Sequence, residues 1–281
     1  MFSPPGRSND MMPQKVFRLP KDIPLHEYPK PEEYLEEAHN LTEAAKKQGI
    51  TLRVMGPIAL HFHFPEYVDL YRKMERLGER VFTDIDYASY GKCRGKIVPF
   101  FQSQGYELEK RAAMLSGNMR HIYFGGRIPM IDVFFDKLDY NHPIDYRNRL
   151  DFHPYCVSLA DLMLQKLQIV QINDKDLKDA MLLLLAAQLG DTDLGTINAK
   201  YIARLFSDDW GFYFTAITNI KKIKNAMVGV KALNDEQRAM IEKNADLMLS
   251  IIEEMPKSGK WKNRAKIGTS KPWYQEVSDW V

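Results

Sequence analysis

The sequence has little of three things, and each shortage narrows the classes of protein it can belong to. Two cysteines, Cys93 and Cys156, cannot build a disulfide framework, which favours a reducing, cytoplasmic location. The formal net charge is only +2, so no overall field of one sign points to a nucleic-acid or membrane partner. The longest apolar run, residues 180–187, is far shorter than the roughly 18–20 residues that cross a bilayer.

The hydrophobic pattern divides the 281-residue chain into three parts. Residues 1–31 are rich in proline and lack periodicity, which predicts an extended N-terminal arm. Residues 32–154 mix helical and strand patterns, whereas residues 155–281 are helical in pattern and end in an irregular tail. The expected fold class is therefore α+β, with a small mixed β-sheet domain followed by a helical C-terminal domain.

The expected elements follow from periodicity and from the residues that begin and end each segment. Helices are predicted over residues 31–48, 58–78 with a break at Pro65, 96–104, 157–170, 174–189, 198–205 and 236–255. Strands are predicted over residues 51–55, 81–87, 120–124 and 130–135, the last two joined by a turn at Gly125 and Gly126. No strand is expected after Pro154, and the tail from Lys257 is expected to be irregular.

Asp84 and Asp86 are the first candidates for catalysis. Side chains two residues apart on a strand share one face, so both carboxylates are expected to project the same way. Two carboxylates held close together repel each other, and a divalent cation relieves that repulsion. Mg²⁺ takes one or two protein carboxylates and completes its shell with water and substrate phosphates. The pair therefore indicates a metal site for phosphoryl chemistry, although Asp-x-Asp is also common in turns and on solvated surfaces.

Three further residues favour such a site, and each also has a simpler interpretation. Asp132 interrupts a run of strand-forming residues, which fits either a third carboxylate of the cluster or an exposed strand face. Gly56 lies between a strand and a helix, where it either lets the backbone approach a phosphate or forms a tight turn. Lys166 interrupts an apolar helical stripe, so it either reaches a nucleotide phosphate or extends to solvent.

Together these segments resemble the nucleotidyltransferase superfamily, with its DNA polymerase β-like fold, and within it the AbiEii-like group. The resemblance covers about residues 50–190 and is carried by residues 54–61, 80–86, 157–167 and 174–179. It implies catalytic and metal-binding roles for Asp84, Asp86 and Asp132. It implies nucleotide-binding roles for Gly56, Thr83, Arg80, Lys166, Asp176 and Asp179, and a structural role is the competing interpretation of Arg80.

The resemblance also implies a reaction, in which a nucleoside monophosphate passes from a nucleoside triphosphate to a hydroxyl acceptor. The expected cofactor is Mg²⁺ or Mn²⁺, with two ions roughly 3.5–4 Å apart between Asp84 and Asp86. Asp132 is expected to serve both as a ligand and as the base that activates the acceptor hydroxyl. The acceptor stays open between a small molecule, an RNA such as tRNA and a protein. A toxin–antitoxin role fits the group, and no membrane partner is expected.

Two departures from the family pattern support a second hypothesis. Pro57 stands where the family usually has glycine or serine, which removes one backbone N–H from the phosphate site. The segment between Gly56 and Asp84 is also longer than is typical. The alternative is a catalytically degenerate nucleotidyltransferase fold that acts as a binding or assembly module. A metal-dependent hydrolase that uses the same carboxylates is a third hypothesis.

Two other features have interpretations that compete. His61 and His63, with Glu66, suggest a metal site, but their spacing matches no strong zinc pattern. The basic and aromatic tail, residues 257–273, fits binding to nucleic acid. Packing of its tryptophans on their own domain is favoured, because such side chains more often fill a groove in the same protein.

Overall fold

The computed structural model describes residues 18–78 and 81–277 and has an α+β fold. Its α-helices are α1 (Pro31–Lys47), α2 (Gly56–His63), α3 (Val68–Lys73), α4 (Arg94–Ser103), α5 (Lys110–Ser116), α6 (Leu159–Leu167), α7 (Asp174–Ala186), α8 (Ala199–Asp208), α9 (Trp210–Met227), α10 (Asp235–Glu254) and α11 (Gly259–Ala265). Its strands are β1 (Arg53–Val54), β2 (Ile85–Ser89), β3 (Glu107–Leu108), β4 (Arg120–Phe124), β5 (Met130–Phe135), β6 (Lys137–Asp139), β7 (Pro143–Asp145), β8 (Leu189–Gly190) and β9 (Ile197–Asn198). Within these described ranges, none of the helices is both long and apolar enough to cross a membrane.

The main sheet is mixed, with the strand order β1-β2-β5-β4-β3. β2 and β5 are parallel neighbours, and the other pairs in this sheet are antiparallel. The hairpin predicted from the sequence is confirmed, since β4 and β5 have the expected bounds and Gly125 adopts a φ of +88° in the connection. The register of β2 against β5 sets Asp86 directly opposite Asp132. Two of the predicted site carboxylates therefore lie on adjacent strands.

The strand that carries Asp86 begins later than predicted. β2 starts at Ile85, whereas the sequence pattern placed the strand at residues 81–87. The hydroxyl of Tyr28 donates a hydrogen bond to the carbonyl oxygen of Phe82 at 3.1 Å. A side chain, and not a neighbouring strand, thus satisfies the backbone just before β2. As a result Asp84 lies before the strand, whereas Asp86 lies within it.

One continuous hydrophobic core runs through both portions of the chain. It includes Tyr34 of α1, Ile131 of β5, Leu164 of α6 and Ile241 of α10, each almost fully buried. A smaller cluster on another face of the sheet joins Ile122, Phe124 and Met130, against which α5 packs. The helical portion is therefore packed against the sheet and not merely tethered to it.

Three predictions for the helical portion are wrong. The long helix α9 was missed, because apolar and aromatic residues occupy several of its sides and hide the helical period. β8 and β9 form a parallel pair after Pro154, but strands of two residues are too short to produce a pattern. The tail is not irregular throughout, since Ser258 caps α11 by accepting a hydrogen bond from the backbone N–H of Trp261.

The tail packs on the helical portion, as the sequence favoured. The ring of Trp261 lies 5.2 Å from that of Tyr213, centroid to centroid. Trp273 lies edge-on to Phe214 at 5.4 Å, and its Nε1 donates to the hydroxyl oxygen of Thr215 at 3.1 Å. These contacts carry the chain back across α9 towards the sheet.

Candidate active site

Three aspartates come together where β2 and β5 run side by side. One oxygen from each of Asp84, Asp86 and Asp132 lies within 4.8 Å of the others. Asp86 and Asp132 are register partners, so their side chains leave the same face of the sheet, and Asp84 joins them from the segment before β2. Asp132 is buried, whereas Asp84 and Asp86 are half-buried. The structure thus brings together the three carboxylates identified from the sequence.

The negative charges of this cluster oppose one another. Burial raises the pKa of the Asp86 carboxyl well above its usual value, and the charges of Asp84 and Asp132 raise it further. Burial raises the pKa of Asp132 to about 6, although the neighbouring Arg120 counteracts the rise. A bound cation would favour the ionised form of both groups and lower both pKa values. The cluster is therefore a position at which added positive charge is stabilised.

Arg120 holds Asp132 by two hydrogen bonds. Its Nε donates to Oδ1 at 3.1 Å and its Nη2 donates to Oδ2 at 2.6 Å. The guanidinium group also lies over the ring of Phe134, 5.2 Å from the centroid. Arg120 is not among the residues predicted from the sequence. The predicted hairpin contains a signal for it, because Arg120 pairs with Phe134, two residues beyond Asp132 on the adjacent strand.

Gly56 brings the backbone close to the carboxylates. Its φ of +61° lies in the left-handed region that favours glycine, and a Cβ at this position would lie 3.4 Å from Oδ2 of Asp86. The N–H of Gly56 donates to Oε1 of Gln165 at 3.2 Å. The next residue, Pro57, has no N–H to offer a phosphate. The close approach expected from the sequence is present, and its one backbone donor is bonded to Gln165.

Lys166 is buried and paired with two carboxylates. Its Nζ lies 2.8 Å from Oδ1 of Asp176 and 2.8 Å from Oδ2 of Asp179. Asp179 also accepts hydrogen bonds from Nε of Arg76 at 2.7 Å and from the hydroxyl of Tyr71 at 2.6 Å. Burial opposes ionisation of Asp179, but Lys166 and Arg76 hold the pKa of this carboxyl well below its usual range. Of the two interpretations of Lys166, extension to solvent is excluded.

Thr83 and Arg80 complete the set of residues predicted to bind the nucleotide. The hydroxyl of Thr83 donates to Oδ1 of Asp84 at 2.9 Å, so it orients one of the three carboxylates. Arg80 lies outside the described residues. Arg76, which the sequence analysis did not identify, contacts Asp179 and lines the same cleft as Thr83.

A cleft of about 470 Å³ connects these groups, a volume in the usual range for a small-molecule site. Six of the predicted site residues line it: Gly56, Thr83, Asp84, Asp86, Lys166 and Asp176. Asp132 and Asp179 are buried behind the wall of the cleft, where they form ion pairs with the lining residues Arg120 and Lys166. On the helical side the wall is formed by residues of α6 and α7 and by Val277 of the tail. The sheet portion and the helical portion therefore contribute opposite sides of one site.

A second group of potential metal ligands lies outside the cleft and consists of His63, His153 and Cys156. Nδ1 of His153 accepts hydrogen bonds from the backbone N–H groups of Tyr155 at 3.2 Å and of Cys156 at 2.9 Å. Nε2 of His63 lies 3.1 Å from the carbonyl oxygen of Val157. An imidazole nitrogen that accepts a hydrogen bond leaves the other nitrogen protonated in the neutral ring. Through these hydrogen bonds the two histidines hold the backbone of residues 155–157 beside β1.

Comparison with known proteins gives little. No protein-family model matches the chain, and no curated protein matches it. The solution structure of the antibiotic-resistance factor ANT(2'')-Ia is similar with a TM-score of 0.37 and 13% sequence identity, over 63% of this chain and 95% of that chain.

Proposed function

We propose that this protein is a metal-dependent nucleotidyltransferase, which transfers a nucleoside monophosphate from a nucleoside triphosphate to a hydroxyl acceptor and releases pyrophosphate. One observation carries the proposal. Asp86 and Asp132 from two adjacent parallel strands, with Asp84 from the segment before β2, converge on one side of a cleft, and the Lys166 network lies on the helical side. Such a cleft offers carboxylates for cations at one wall and carries lysine side chains of α6 and α7 at the other.

The donor atoms fit a hard divalent cation. All three ligands are carboxylate oxygens, which suit Mg²⁺ or Mn²⁺ and not the softer metals that prefer thiolate or imidazole. Burial is the largest cause of the raised pKa of Asp86, and repulsion from Asp84 and Asp132, which such a cation would relieve, is the next. A cation held by Asp84, Asp86 and Asp132 would neutralise phosphate charge and lower the pKa of the acceptor hydroxyl.

The chain's own residues have separate tasks in this proposal. Asp84 and Asp86, which line the cleft, bind the metal, and the Thr83 hydroxyl orients Asp84. Asp132 completes the metal site and accepts the proton of the acceptor hydroxyl. Gly56, whose missing Cβ leaves room beside Asp86, lets a phosphate approach the backbone.

The helical wall contributes to the nucleotide side of the proposed site. Lys166, Asp176 and Asp179 form a network of ion pairs that fixes α6 against α7. Arg76, which also pairs with Asp179, balances the charge of this network, so the network closes the cleft without adding repulsion towards a bound nucleotide. Arg80 keeps its predicted role in binding the triphosphate as part of the proposal.

The metal part of the proposal is tested by titration with Mn²⁺, followed by electron paramagnetic resonance. Asp84→Asn combined with Asp86→Asn is expected to abolish tight Mn²⁺ binding. The matched control is Asp145→Asn, which removes an exposed carboxylate paired with Arg147 away from the cleft. Equal Mn²⁺ affinity in the wild-type protein and the double variant would refute the assignment of these ligands.

The transfer part is tested with nucleotides labelled at the α-phosphate. Incubation with each of the four triphosphates and Mg²⁺ is expected to move label onto one of three acceptor classes: tRNA, protein or aminoglycoside. Release of the label only as free nucleotide would indicate a hydrolase instead. We propose membership of the AbiEii-like group, with a toxin-type role in the cytoplasm, as the interpretation that a labelled tRNA or protein product would support.

A catalytically degenerate module is the second candidate, and two observations favour it. Pro57 offers no N–H at the turn, and both oxygens of Asp132 are already bonded to Arg120. A protein of this kind would bind no triphosphate. Isothermal titration of the wild-type protein with each triphosphate and Mg²⁺ distinguishes the two candidates, since heat of binding is expected only for the enzyme.

A further inference from the structure

The cationic side chains that line the cleft differ in whether they already have an anionic partner. Four described residues of this kind contribute to the walls: Arg76, Arg120, Lys166 and Lys175. A phosphate group binds best to a cation that has no carboxylate to neutralise it, because a paired cation must first lose its partner. The pairing state of each cation therefore indicates which of them is available to a ligand.

Three of the four cations are neutralised by buried carboxylates. Arg76 forms two hydrogen bonds with Asp179, at 2.7 and 3.1 Å, and its side chain is 7% exposed. Arg120 is held in the same way by Asp132. Lys166 lies 2.8 Å from a carboxylate oxygen on each of two residues. Diverting Arg120 or Lys166 to a ligand would leave Asp132 or Asp176 unpaired in a buried position. Diverting Arg76 would leave Asp179 with Lys166 as its one cation among these residues.

Lys175 is different. It lies in the first turn of α7, is half-buried and lines the cleft. In the ranges 18–78 and 81–277, the ion pairs of the protein include none that involves Lys175. The neighbouring Lys178, by contrast, is paired with Asp174 at 2.6 Å and bonds to the carbonyl oxygen of Glu75.

We propose that Lys175 binds the phosphate groups of the ligand in this cleft, an inference that rests on the proposed function. Charge in the cleft supports the assignment. Among the described residues, Arg76, Arg120 and Lys166 cancel against their carboxylates, so the lining charges that remain are Lys175 and the carboxylates of Asp84 and Asp86. A polyphosphate that arrives with a divalent cation places its metal at the aspartates and its remaining negative charge at Lys175.

Lys166 and Lys175 then have different roles. Lys166 fixes α6 against α7 through Asp176 and Asp179, and in doing so it holds the first turns of α7 at the cleft. Lys175 is then presented to the ligand on a rigid helix. Because its ammonium group has no ion pair to break, it can meet a phosphate without leaving a carboxylate unpaired.

The test is isothermal titration with Mg²⁺ and inorganic tripolyphosphate, a probe that measures phosphate binding without assuming a base. Lys175→Met is expected to weaken binding by about tenfold to hundredfold, the usual size of a charge-assisted hydrogen bond. Lys175→Arg is expected to keep most of the affinity. Lys178→Met, one turn along the same helix, is the matched control and is expected to bind like the wild-type protein.

Two results would overturn the inference, and they are distinguishable from failure of the proposed function. If wild-type protein binds the probe and Lys175→Met binds it equally well, Lys175 has no phosphate role although the nucleotide site stands. If wild-type protein binds Mn²⁺ but no tripolyphosphate and no triphosphate, both proposals fall. Mn²⁺ affinity without a phosphate ligand is expected to be unchanged in Lys175→Met, which separates its effect from that of the aspartates.

Discussion

At the scale of single residues, the interior of this protein contains charges that are stable only as sets. Lys166, Arg76, Asp176 and Asp179 form one set, and Arg120 with Asp132 forms another. A buried ion pair adds little net stability compared with apolar residues, but removal of one member leaves its partner charged and unpaired. Each set therefore behaves as a unit under mutation.

The Lys166 set gives the first prediction. Lys166→Met is expected to lower the free energy of unfolding by about 3–5 kcal/mol, because Asp176 loses its buried cation and Asp179 keeps only Arg76. The measurement is urea unfolding followed by circular dichroism. Lys178→Met, whose ion pair involves the exposed Asp174, is expected to lose less than about 1 kcal/mol. Equal losses in both variants would contradict the structural role of Lys166.

His142 gives a prediction about pH. It is buried, its ring stacks on Phe212, and its Nε2 lies 2.9 Å from the hydroxyl oxygen of Thr215. Burial lowers the pKa of His142 from 6.5 to about 4. Between those values the unfolded chain binds a proton that the folded protein does not, so folding stability falls as the pH falls through this window.

The contribution of His142 is isolated by comparison with His142→Gln, since other titrating groups are the same in both proteins. The difference in unfolding free energy between them is expected to be constant above pH 7. It is expected to change by about 3 kcal/mol, to the disadvantage of the wild-type protein, as the pH falls to 4. Denaturant titrations at each pH measure it, and parallel pH profiles would show that His142 is not held neutral.

At the scale of elements, the junction between β1 and α2 positions the backbone at the site. Gly56 ends the approach to α2 in a left-handed conformation, and Pro57 then occupies the first turn, where its missing N–H costs no helical hydrogen bond. The same proline that suits the start of the helix removes a donor from the cleft. Local structure and phosphate binding therefore make opposite demands on one position.

Gly56→Ala tests this junction, with Gly78→Ala as its control. Both glycines have φ near +60°, at +61° and +62°, so each alanine is expected to cost about 1–2 kcal/mol of folding stability. Only at Gly56 does the new Cβ meet a site residue, at 3.4 Å from Oδ2 of Asp86, while nothing lies within 4 Å of it at Gly78. Of the two variants, only Gly56→Ala is expected to weaken Mn²⁺ binding. An equal change of Mn²⁺ affinity in both variants would contradict the assignment of Gly56 to the site.

At the scale of the whole molecule, the cleft exists because two portions of the chain share one core. We propose the division into residues 32–154 and 155–281 as a boundary between substructures and not between independent folding units, because the core cluster crosses it. The tail adds contacts between the two portions. The backbone N–H of Gln275 donates to the carbonyl oxygen of Asn141 at 3.0 Å, and Val277 reaches the cleft wall.

Removal of the tail is therefore expected to weaken the packing between the sheet portion and the helical portion. A variant that ends at Pro272 is expected to lose about 2 kcal/mol of folding stability, since the half-buried Trp273 and its contacts go with it. Gly211→Ala is a point variant for the same contact, because its Cβ would lie 2.2 Å from the carbonyl oxygen of Trp273. Limited proteolysis is expected to cut the tail faster in Gly211→Ala than in Gly259→Ala, whose Cβ meets nothing within 4 Å.

The sequence by itself determined the features that depend on short-range patterns. The hairpin of β4 and β5 and the acidic pair of Asp84 and Asp86 follow from alternation and from the spacing of the carboxylates. The α+β class follows in the same way. These signals lie within a few residues of one another, so no long-range contact is needed to produce them.

Only the tertiary structure decided which cationic side chains lack a carboxylate partner and can therefore bind a ligand. The sequence shows Lys166 in an apolar helical stripe and Lys175 at the start of the next helix, but neither position tells which lysine has a carboxylate partner. Folding places Asp176 and Asp179 against Lys166 and none of the described carboxylates at ion-pairing distance from Lys175. Arg120 was missed for the same reason, since its partner Asp132 is reached across a sheet. Charge pairing depends on distances of a few ångströms between segments far apart in the chain, and only the packed core sets those distances.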